Sequence, residues 1–326
     1  MIDTAHLGVP ASFQPFTLSS ATLARLVENC AYHLPKGYLL FGVRAGKLVN
    51  AEYGRWLSEA LIVENTLDGE TLRCLMGIWD LKTHKIALFP ASTIPHHAWQ
   101  MKQIAAPDRH IANCLGSGMY PYIVGAHEPD GRAFEEGAFR MSRLQPVLAW
   151  RFYHENHDYA LTKAIPTLSA VNDHIHSAQT DNKPSGISFS SAGCQVIEGD
   201  HTPPDMPTGW YQKFRILAGQ SAQPSPLEVG HEYRYLLTHV RHLERINSGD
   251  EASLLLQGSY GMAVRLLQEA LMAKGDLDEN NIDKGYFNGY TAKALYDFQL
   301  REGLVADGIA TARDLKKLGI SAANCY

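Results

Sequence analysis

The hydrophobic pattern of this chain changes near residue 250, and the change divides the expected fold into two parts. Before it, short apolar runs such as 38–44 and 147–153 are separated by Gly, Pro, Asn and Asp at intervals typical of strands and turns. After it, Val264, Leu267 and Leu271 recur at helical spacing. We therefore predict a mostly β domain over residues 1–245, with one N-terminal helix near 20–31. A small all-α domain of three helices is predicted over residues 250–322.

Length and composition restrict the function classes. The chain has 326 residues, a formal net charge of −5, and 45% hydrophobic and 19% charged content, as expected of a soluble globular protein with two domains. The acidic balance offers no basic patch for nucleic acid or for a membrane surface. No apolar run reaches the length of a membrane span, and no cationic start precedes an apolar core. We expect synthesis in the cytoplasm without a general secretory signal.

One stretch, residues 176–195, places a histidine and a cysteine at the two ends of a polar loop. His176 closes an apolar run, and Cys194 follows it by 18 residues at the end of Ser191-Ala192-Gly193-Cys194. The five cysteines are too scattered for a disulfide framework, so a free thiol is expected. An imidazole beside a thiol can accept its proton and produce a nucleophilic thiolate. We therefore predict Cys194 as the nucleophile and His176 as its base.

Two neighbours of this pair are predicted to assist catalysis. Ser177, or a backbone carbonyl, is the expected acceptor that holds the other ring nitrogen of His176. Gly193 allows the backbone to approach a substrate carbonyl. The amides around Gly193 and Cys194 are candidate oxyanion donors, each worth about 3–4 kcal/mol in transition-state stabilisation.

The C-terminal segment resembles the peptidoglycan-binding domain that is often appended to bacterial cell-wall enzymes. The matching positions are Gly258, Gly261, Val264, Leu267-Gln268, Leu271, Gly285, Phe287, Thr291, Ala294, Phe298-Gln299, Gly303-Leu304 and Asp307-Gly308-Ile309. The sequence departs from the pattern at Asn288, where glycine is usual, and around Thr311 and Asp314. The resemblance implies peptidoglycan as the ligand of this domain.

The stretch around Cys194 resembles the active site of the L,D-transpeptidase (YkuD-type) catalytic domain. That family has a strand ending in Ile-His followed by Gly or Ser, and then Ser-x-Gly-Cys; here these are Ile175-His176-Ser177 and Ser191-Ala192-Gly193-Cys194. The usual second histidine of the motif is Ala192 here. Gln195-Val196 replace the usual polar or arginine residue after the cysteine. The resemblance is therefore to an atypical subfamily, and it implies a β-sandwich with short helices.

This second resemblance implies a two-step reaction on peptidoglycan stem peptides, without a metal or organic cofactor. Cys194 attacks the carbonyl of the third residue, usually diaminopimelate, and expels the terminal D-alanine to form a thioester. An amine resolves the thioester in L,D-transpeptidation or D-amino-acid exchange, and water resolves it in an L,D-carboxypeptidase. The candidates for binding the stem peptide are Ser191, Gln195, Arg44, His127 and Arg151. For the last three, the sequence favours a surface ion pair over contact with the stem peptide.

A peptidoglycan enzyme without a general secretory signal fits delivery by another route. We expect it to act in the periplasm or cell wall, as a secreted antibacterial effector on a target cell or as a phage lysis protein. The expected partners are peptidoglycan stem peptides and glycan strands, together with an immunity protein or secretion machinery. Nucleic acid is not an expected partner, and no membrane span is expected.

Three other functions stay open at the level of sequence. Fifteen histidines, with pairs at 174/176, 96/97 and 154/157, would suit a zinc amidase or peptidase, although no His-Glu-x-x-His motif is present. Paired carboxylates on the same fold could instead cut glycan strands. The departures at Ala192 and Gln195 would also suit a non-catalytic protein that binds the cell wall.

Overall fold

A computed structural model describes residues 7, 11–128, 135–142, 146–155, 159, 164–181, 188–202 and 206–321. The strands are β1 (Phe16–Ser19), β2 (Tyr38–Arg44), β3 (Gly46–Leu48), β4 (Glu59–Glu64), β5 (Cys74–Asp80), β6 (Lys85–Ser92), β7 (Cys114–Leu115), β8 (Gly118–His127), β9 (Glu135–Met141), β10 (Val147–Phe152), β11 (Ala164–Ser169), β12 (Ile175–Ser177), β13 (Gln195–Ile197), β14 (His201–Thr202), β15 (Met206–Pro207) and β16 (Glu232–His239). The helices are α1 (Ser20–Asn29), α2 (His97–Ala105), α3 (Gly209–Leu217), α4 (Val240–Asn247), α5 (Met262–Ala273), α6 (Gly289–Arg301) and α7 (Ala312–Lys317). These elements confirm the prediction of a mostly β part followed by a helical part.

Eight strands form a closed barrel in the order β12-β13-β6-β5-β2-β16-β8-β9. The barrel closes because β9 also pairs with β12, through Ile175 and Phe139. A closed sheet leaves no open edge strand. The predicted β-sandwich differs from this barrel in that closing pair, which joins two short strands that no sequence pattern relates.

Two neighbouring pairs in the barrel are parallel, namely β2 with β16 and β12 with β13. Parallel neighbours cannot be joined by a tight hairpin, so the chain must cross over between them. The crossover from β12 to β13 spans residues 178–194. It therefore carries the Ser-Ala-Gly-Cys sequence back to the strand that holds His176.

The barrel strands are buried on both faces. In β2, Leu40 belongs to a hydrophobic cluster that draws residues from all eight barrel strands, while its neighbours Leu39 and Phe41 belong to a second cluster. This alternation follows from the two-residue period of a strand. Helix α3 adds Tyr211 and Phe214 to the first cluster. The second cluster extends from the barrel into α1, α4 and the C-terminal helices.

Helices α5, α6 and α7 form the predicted three-helix unit. The departures from the family pattern that the sequence shows here are helix caps. Asn288 Oδ1 accepts the amide proton of Thr291 at 3.0 Å, so Asn288 is the N-cap of α6. Thr311 and Asp314 form a capping box at the start of α7. None of the helices in the described part of the chain is long and apolar enough to cross a bilayer.

The helical unit packs directly on the β part of the chain. Ser259 Oγ donates to the carbonyl of Cys30 at 2.6 Å, and the amide of Tyr260 donates to Ala31 at 2.9 Å. The amide of Met119 donates in turn to the Gln257 carbonyl at 2.8 Å. The predicted boundary at residues 245–250 falls at the end of α4. Because one hydrophobic cluster spans both sides of it, the two parts share a core.

We expect Gly258→Ala to destabilise this contact between the two parts. Gly258 has a φ of 92°, and a Cβ there would lie 2.3 Å from the Met119 carbonyl oxygen. The positive φ and the steric clash together should cost about 2–4 kcal/mol in the free energy of unfolding. Gly249→Ala is a matched control, because Gly249 has the same φ of 92° with no neighbouring atom within 4 Å. Chemical denaturation should give a loss of about 1 kcal/mol for the control, and equal losses would contradict this account.

Candidate active site

The parallel pairing of β12 with β13 brings Cys194 to His176. The register places Ile175 opposite Gln195 and His176 opposite Val196. Cys194 precedes β13 by one residue and therefore lies at the same end of the strand pair as His174, whose carbonyl accepts the Gln195 amide at 2.8 Å. One donor atom from each of Cys194, His176 and His127 lies within 4.8 Å of the other two. The loop thus returns the thiol to the imidazole, as the sequence predicts.

The tautomer of His176 suits it to act as a base. Its Nδ1 lies 2.7 Å from the Ser177 carbonyl oxygen. A carbonyl can only accept, so Nδ1 carries the ring proton and Nε2 holds the lone pair. The predicted partner is therefore the backbone of Ser177 and not its hydroxyl. That hydroxyl donates instead to Glu135 Oε2 at 2.7 Å.

A second histidine reaches the site from a different strand. His127 ends β8, and its ring stacks on that of His176 with centroids 4.1 Å apart. The Nδ1 atoms of His127 and His174 lie 3.1 Å apart. The motif lacks its usual second histidine at Ala192, and His127 places an imidazole beside the thiol by another route. The sequence marked His127 only as a candidate for substrate binding.

Burial keeps the imidazoles of the site neutral. It lowers the pKa of His176 well below the ordinary value, and the neighbouring His127 and His174 lower it further. Burial likewise lowers the pKa of His127 to about 4 and that of His174 to about 3. At neutral pH all three rings are therefore uncharged. The lowered pKa of His176 also makes its imidazolium less stable than that of an exposed histidine, so proton uptake by His176 needs a nearby negative charge.

The thiol of Cys194 is also neutral at rest. Burial raises its pKa above the ordinary value, and the nearby Asp173 carboxyl raises it further, while the backbone amide of His174 acts in the opposite direction. The S–H group donates to the Asn172 carbonyl at 3.5 Å. Transfer of this proton to His176 therefore requires the S–H group to leave the Asn172 carbonyl and the sulfur to approach the imidazole.

A compact turn holds Cys194 in place. Ser191 Oγ donates to the Cys194 carbonyl at 2.8 Å and accepts the Gly193 amide at 3.2 Å. The Gly193 amide therefore donates its hydrogen bond within the turn, although the sequence analysis named it as a candidate oxyanion donor. Gly193 has a φ of 156°, and a Cβ there would lie 2.7 Å from both Asn113 Nδ2 and Asp173 Oδ1. Only glycine fits this position.

The residues expected to bind substrate are mostly engaged in the structure of the site itself. Gln195 is fully buried; its Oε1 accepts the Tyr235 hydroxyl at 3.0 Å and its Nε2 donates to the Gly193 carbonyl at 3.1 Å. Arg44 is fully buried and donates to the Leu115 carbonyl at 2.7 Å. Arg151 donates to the Ala112 carbonyl at 3.0 Å. These contacts, like those of Ser191, favour support of the site over contact with a ligand.

Two buried carboxyls that sequence reasoning missed lie behind the site. Glu135 begins β9, accepts the Ser177 amide at 2.9 Å and lies 3.8 Å from His176 Nδ1. Asp173 accepts the Asn113 side-chain amide at 2.6 Å. Burial raises the pKa of each carboxyl to about 7. Glu135 becomes a neighbour of the site only through strand pairing, whereas Asp173 lies three residues before His176 in the sequence.

The pKa of Glu135 predicts a pH-dependent stability. Burial raises this pKa from 4.5 to about 7, with Ser177 and Arg215 opposing the shift and Asp200 adding to it. The folded state then binds more protons than the unfolded state between these values. The contribution of Glu135 to the free energy of unfolding is therefore fully present below pH 4.5 and is lost as the pH rises to 7. This loss amounts to about 3 kcal/mol.

Comparing the wild type with Glu135→Gln isolates the titration of Glu135, because both proteins keep the buried histidines. We expect urea unfolding to show the wild type losing stability relative to the variant between pH 4.5 and pH 7. Above pH 7 the difference should be constant. Parallel stability curves across the whole range would contradict a buried, titrating Glu135.

Comparison with known proteins identifies one part of the chain. Residues 260–318 match the family described as "Putative peptidoglycan binding domain". No match was found among curated proteins or among solved structures. The matched segment contains α5, α6 and α7, whereas Cys194 and His176 lie outside it. The C-terminal domain is thus similar to peptidoglycan-binding domains, which suggests a protein that associates with the cell wall.

Proposed function

We propose that the chain is a peptidoglycan-modifying cysteine enzyme of the L,D-transpeptidase type, in which Cys194 forms a thioester with a stem peptide. The observation that carries this proposal is the placement of the Cys194 sulfur beside His176, with the His176 tautomer set by the Ser177 carbonyl. The peptidoglycan-binding match at residues 260–318 supports the choice of substrate.

The first step forms the thioester. His176 Nε2 takes the thiol proton as the sulfur attacks the carbonyl carbon of the third stem-peptide residue. The C–N bond to the terminal D-alanine then breaks, and the nitrogen of the departing D-alanine takes the proton from His176. The thioester on Cys194 is left, and the imidazole is neutral again.

The second step resolves the thioester and repeats the proton transfers in reverse. An amine or a water molecule gives its proton to His176 and attacks the thioester carbonyl. The C–S bond breaks, and the sulfur recovers the proton from His176. An amine acceptor gives a new peptide bond, and water gives a free carboxylate. The buried Glu135, held against Ser177, stabilises the transient imidazolium of His176 by its negative charge when it is ionised.

The burial of the acidic residues favours a cysteine mechanism over hydrolysis of glycan strands. The two carboxyls near the site, Glu135 and Asp173, are 0% and 3% exposed. Neither can reach a sugar to protonate a glycosidic oxygen. Cys194 is 9% exposed, which is more than either carboxyl residue.

A cavity at the contact between the two parts offers room for a bound strand of the wall. Its volume is about 860 Å³, and its lining includes Tyr233, Tyr260 and Tyr286 from both sides of the contact. Aromatic faces with nearby hydrogen-bonding groups suit sugar rings. Tyr122 also borders the cavity, and its hydroxyl donates to the Asp173 carbonyl beside the site. We propose that a glycan strand lies in this cavity, whose lining includes none of Cys194, His176 and His127.

Mass spectrometry of muropeptides after incubation with the protein tests the proposed reaction. We expect tetrapeptide products that have lost D-alanine, or that have gained a D-amino acid or a cross-link, all with intact sugars. Cleaved sugars with untouched stem peptides would contradict the proposal. Binding to sacculi without any new product would contradict it as well, and would indicate a wall-binding protein.

A further inference from the structure

We propose that Cys194, His176 and His127 bind a divalent transition-metal cation, with Zn²⁺ as the reference ion, and that the bound metal holds the nucleophile in an inactive form. The donor atoms of these three residues lie within 4.8 Å of one another. They come from the end of β8, from β12 and from the residue before β13. Three separate elements of one barrel therefore converge on a single point.

The ligand types and spacing suit zinc. Thiolate and imidazole are the ligands that Zn²⁺ prefers, at about 2.3 Å for sulfur and about 2.0–2.1 Å for nitrogen. A tetrahedral site with such bonds separates its ligand atoms by roughly 3.3–3.8 Å. The atoms lie within 4.8 Å of one another, so the spacing closes to this range when each pair of ligand atoms approaches by roughly 1.5 Å or less. A water molecule would complete the four ligands.

Both imidazoles have outer contacts of the kind found around metal sites. His176 Nδ1 donates to the Ser177 carbonyl at 2.7 Å, which orients the ring with Nε2 as the ligand atom. His127 Nδ1 faces His174 Nδ1 at 3.1 Å, and its ring stacks on that of His176. Ser177 is held in turn by Glu135. The rings are therefore held in place before any metal arrives.

Other histidines that the sequence offered for zinc have different roles or lie elsewhere. His96 Nδ1 accepts the Ala98 amide at 3.0 Å and caps α2. The pair His154/His157 includes a residue outside the described part of the chain. The pair His174/His176 instead contributes one ligand and one outer contact to the proposed site.

Metal binding has a balanced chemical consequence. The metal takes up the sulfur of Cys194 as a thiolate, and the thiol proton is released to solvent. The thiolate lone pair then forms a bond to the metal, and His176 Nε2 can no longer accept a proton. Turnover stops until the metal dissociates. This inhibitory effect rests on the proposed function, whereas metal binding itself does not.

Titration of the metal-free, full-length protein with Zn²⁺ tests the site. We expect one equivalent to bind, and Cys194→Ala and His127→Ala each to weaken binding at least tenfold. His33→Ala is the control, because His33 is exposed and packs on Tyr260 away from the site. With Co²⁺ as the probe, a thiolate-to-metal charge-transfer absorption should appear in the wild type and in the His33 variant, but not in Cys194→Ala.

The outcomes separate this proposal from the proposed function. Zn²⁺ should also raise the melting temperature of the wild type and slow the alkylation of Cys194 by iodoacetamide, neither of which needs turnover. Equal Zn²⁺ binding in the wild type and in Cys194→Ala, or no binding at all, would overturn the metal site. Metal binding without any muropeptide turnover would support the metal site and contradict the proposed enzymatic function.

Discussion

Cys194→Ala is expected to abolish turnover of purified muropeptides while leaving the fold intact. The sulfur is the atom that forms the thioester, and alanine offers no replacement for it. The loss should bring product formation below detection by mass spectrometry. The fold should survive because Cys194 packs in a small hydrophobic cluster with Ala178, Phe189 and Val196, and its side-chain contact to Asn172 is a weak one.

Cys30→Ala provides the matched control for this experiment. Cys30 is a fully buried cysteine, but it lies at the end of α1, in the contact with the helical unit. We expect this variant to lose about 1 kcal/mol of stability and to keep its activity. Full activity in Cys194→Ala would end the cysteine mechanism. Equal loss in both cysteine variants would indicate a structural effect.

His176→Gln is expected to lower kcat/KM by about 100-fold to 10,000-fold. Glutamine fills a similar volume but cannot accept the thiol proton, which leaves the sulfur as a poor nucleophile. The attack should then depend on thiolate formed by hydroxide. The residual activity of the variant should therefore rise with pH, while the wild type should change less.

His127→Ala separates the base from its neighbour. His127 stacks on His176 but does not share its bond to the Ser177 carbonyl. We expect a loss of about tenfold, because the ring of His176 becomes less well positioned. Steady-state kinetics of both variants on one tetrapeptide substrate would measure the difference. A larger loss for His127→Ala than for His176→Gln would show that the base has been assigned to the wrong histidine.

The sequence could predict which residues form the centre of the site. The motifs Ile175-His176-Ser177 and Ser191-Ala192-Gly193-Cys194 identify the pair. The structure brings the two motifs together because β12 and β13 pair in parallel, which returns the chain to the same end of the sheet. His174 could have been recognised as well. It lies two residues from His176, and residues at that spacing share one face of an extended chain.

The surroundings of the site could not be predicted in the same way. His127 and Glu135 face each other across the β8–β9 pair, and β9 then reaches β12 through Phe139 and Ile175. For Arg44 the sequence favours a surface ion pair over a carboxylate ligand, because a charged residue at a strand end is more often exposed than buried. The structure places it instead against backbone carbonyls in the core.

For the fold as well, the sequence predicts local elements but not which distant elements lie beside each other. Strand and helix periodicity predicted a mostly β part and a three-helix unit, and the C-terminal helices match a peptidoglycan-binding family. The barrel also requires β2 to pair with β16, whose residues are about 200 positions apart. Periodicity reports which face of a strand is buried but not which distant strand lies beside it.

The acyl-enzyme is the most direct test of the central claim. The intact protein would be mixed with a stem tetrapeptide, quenched in acid within the first turnover, digested and analysed by mass spectrometry. We expect an acyl-tripeptide adduct, formed with loss of D-alanine, on the proteolytic fragment that contains Cys194. Turnover of the substrate with an adduct on another residue, or with no adduct at any quench time, would contradict it.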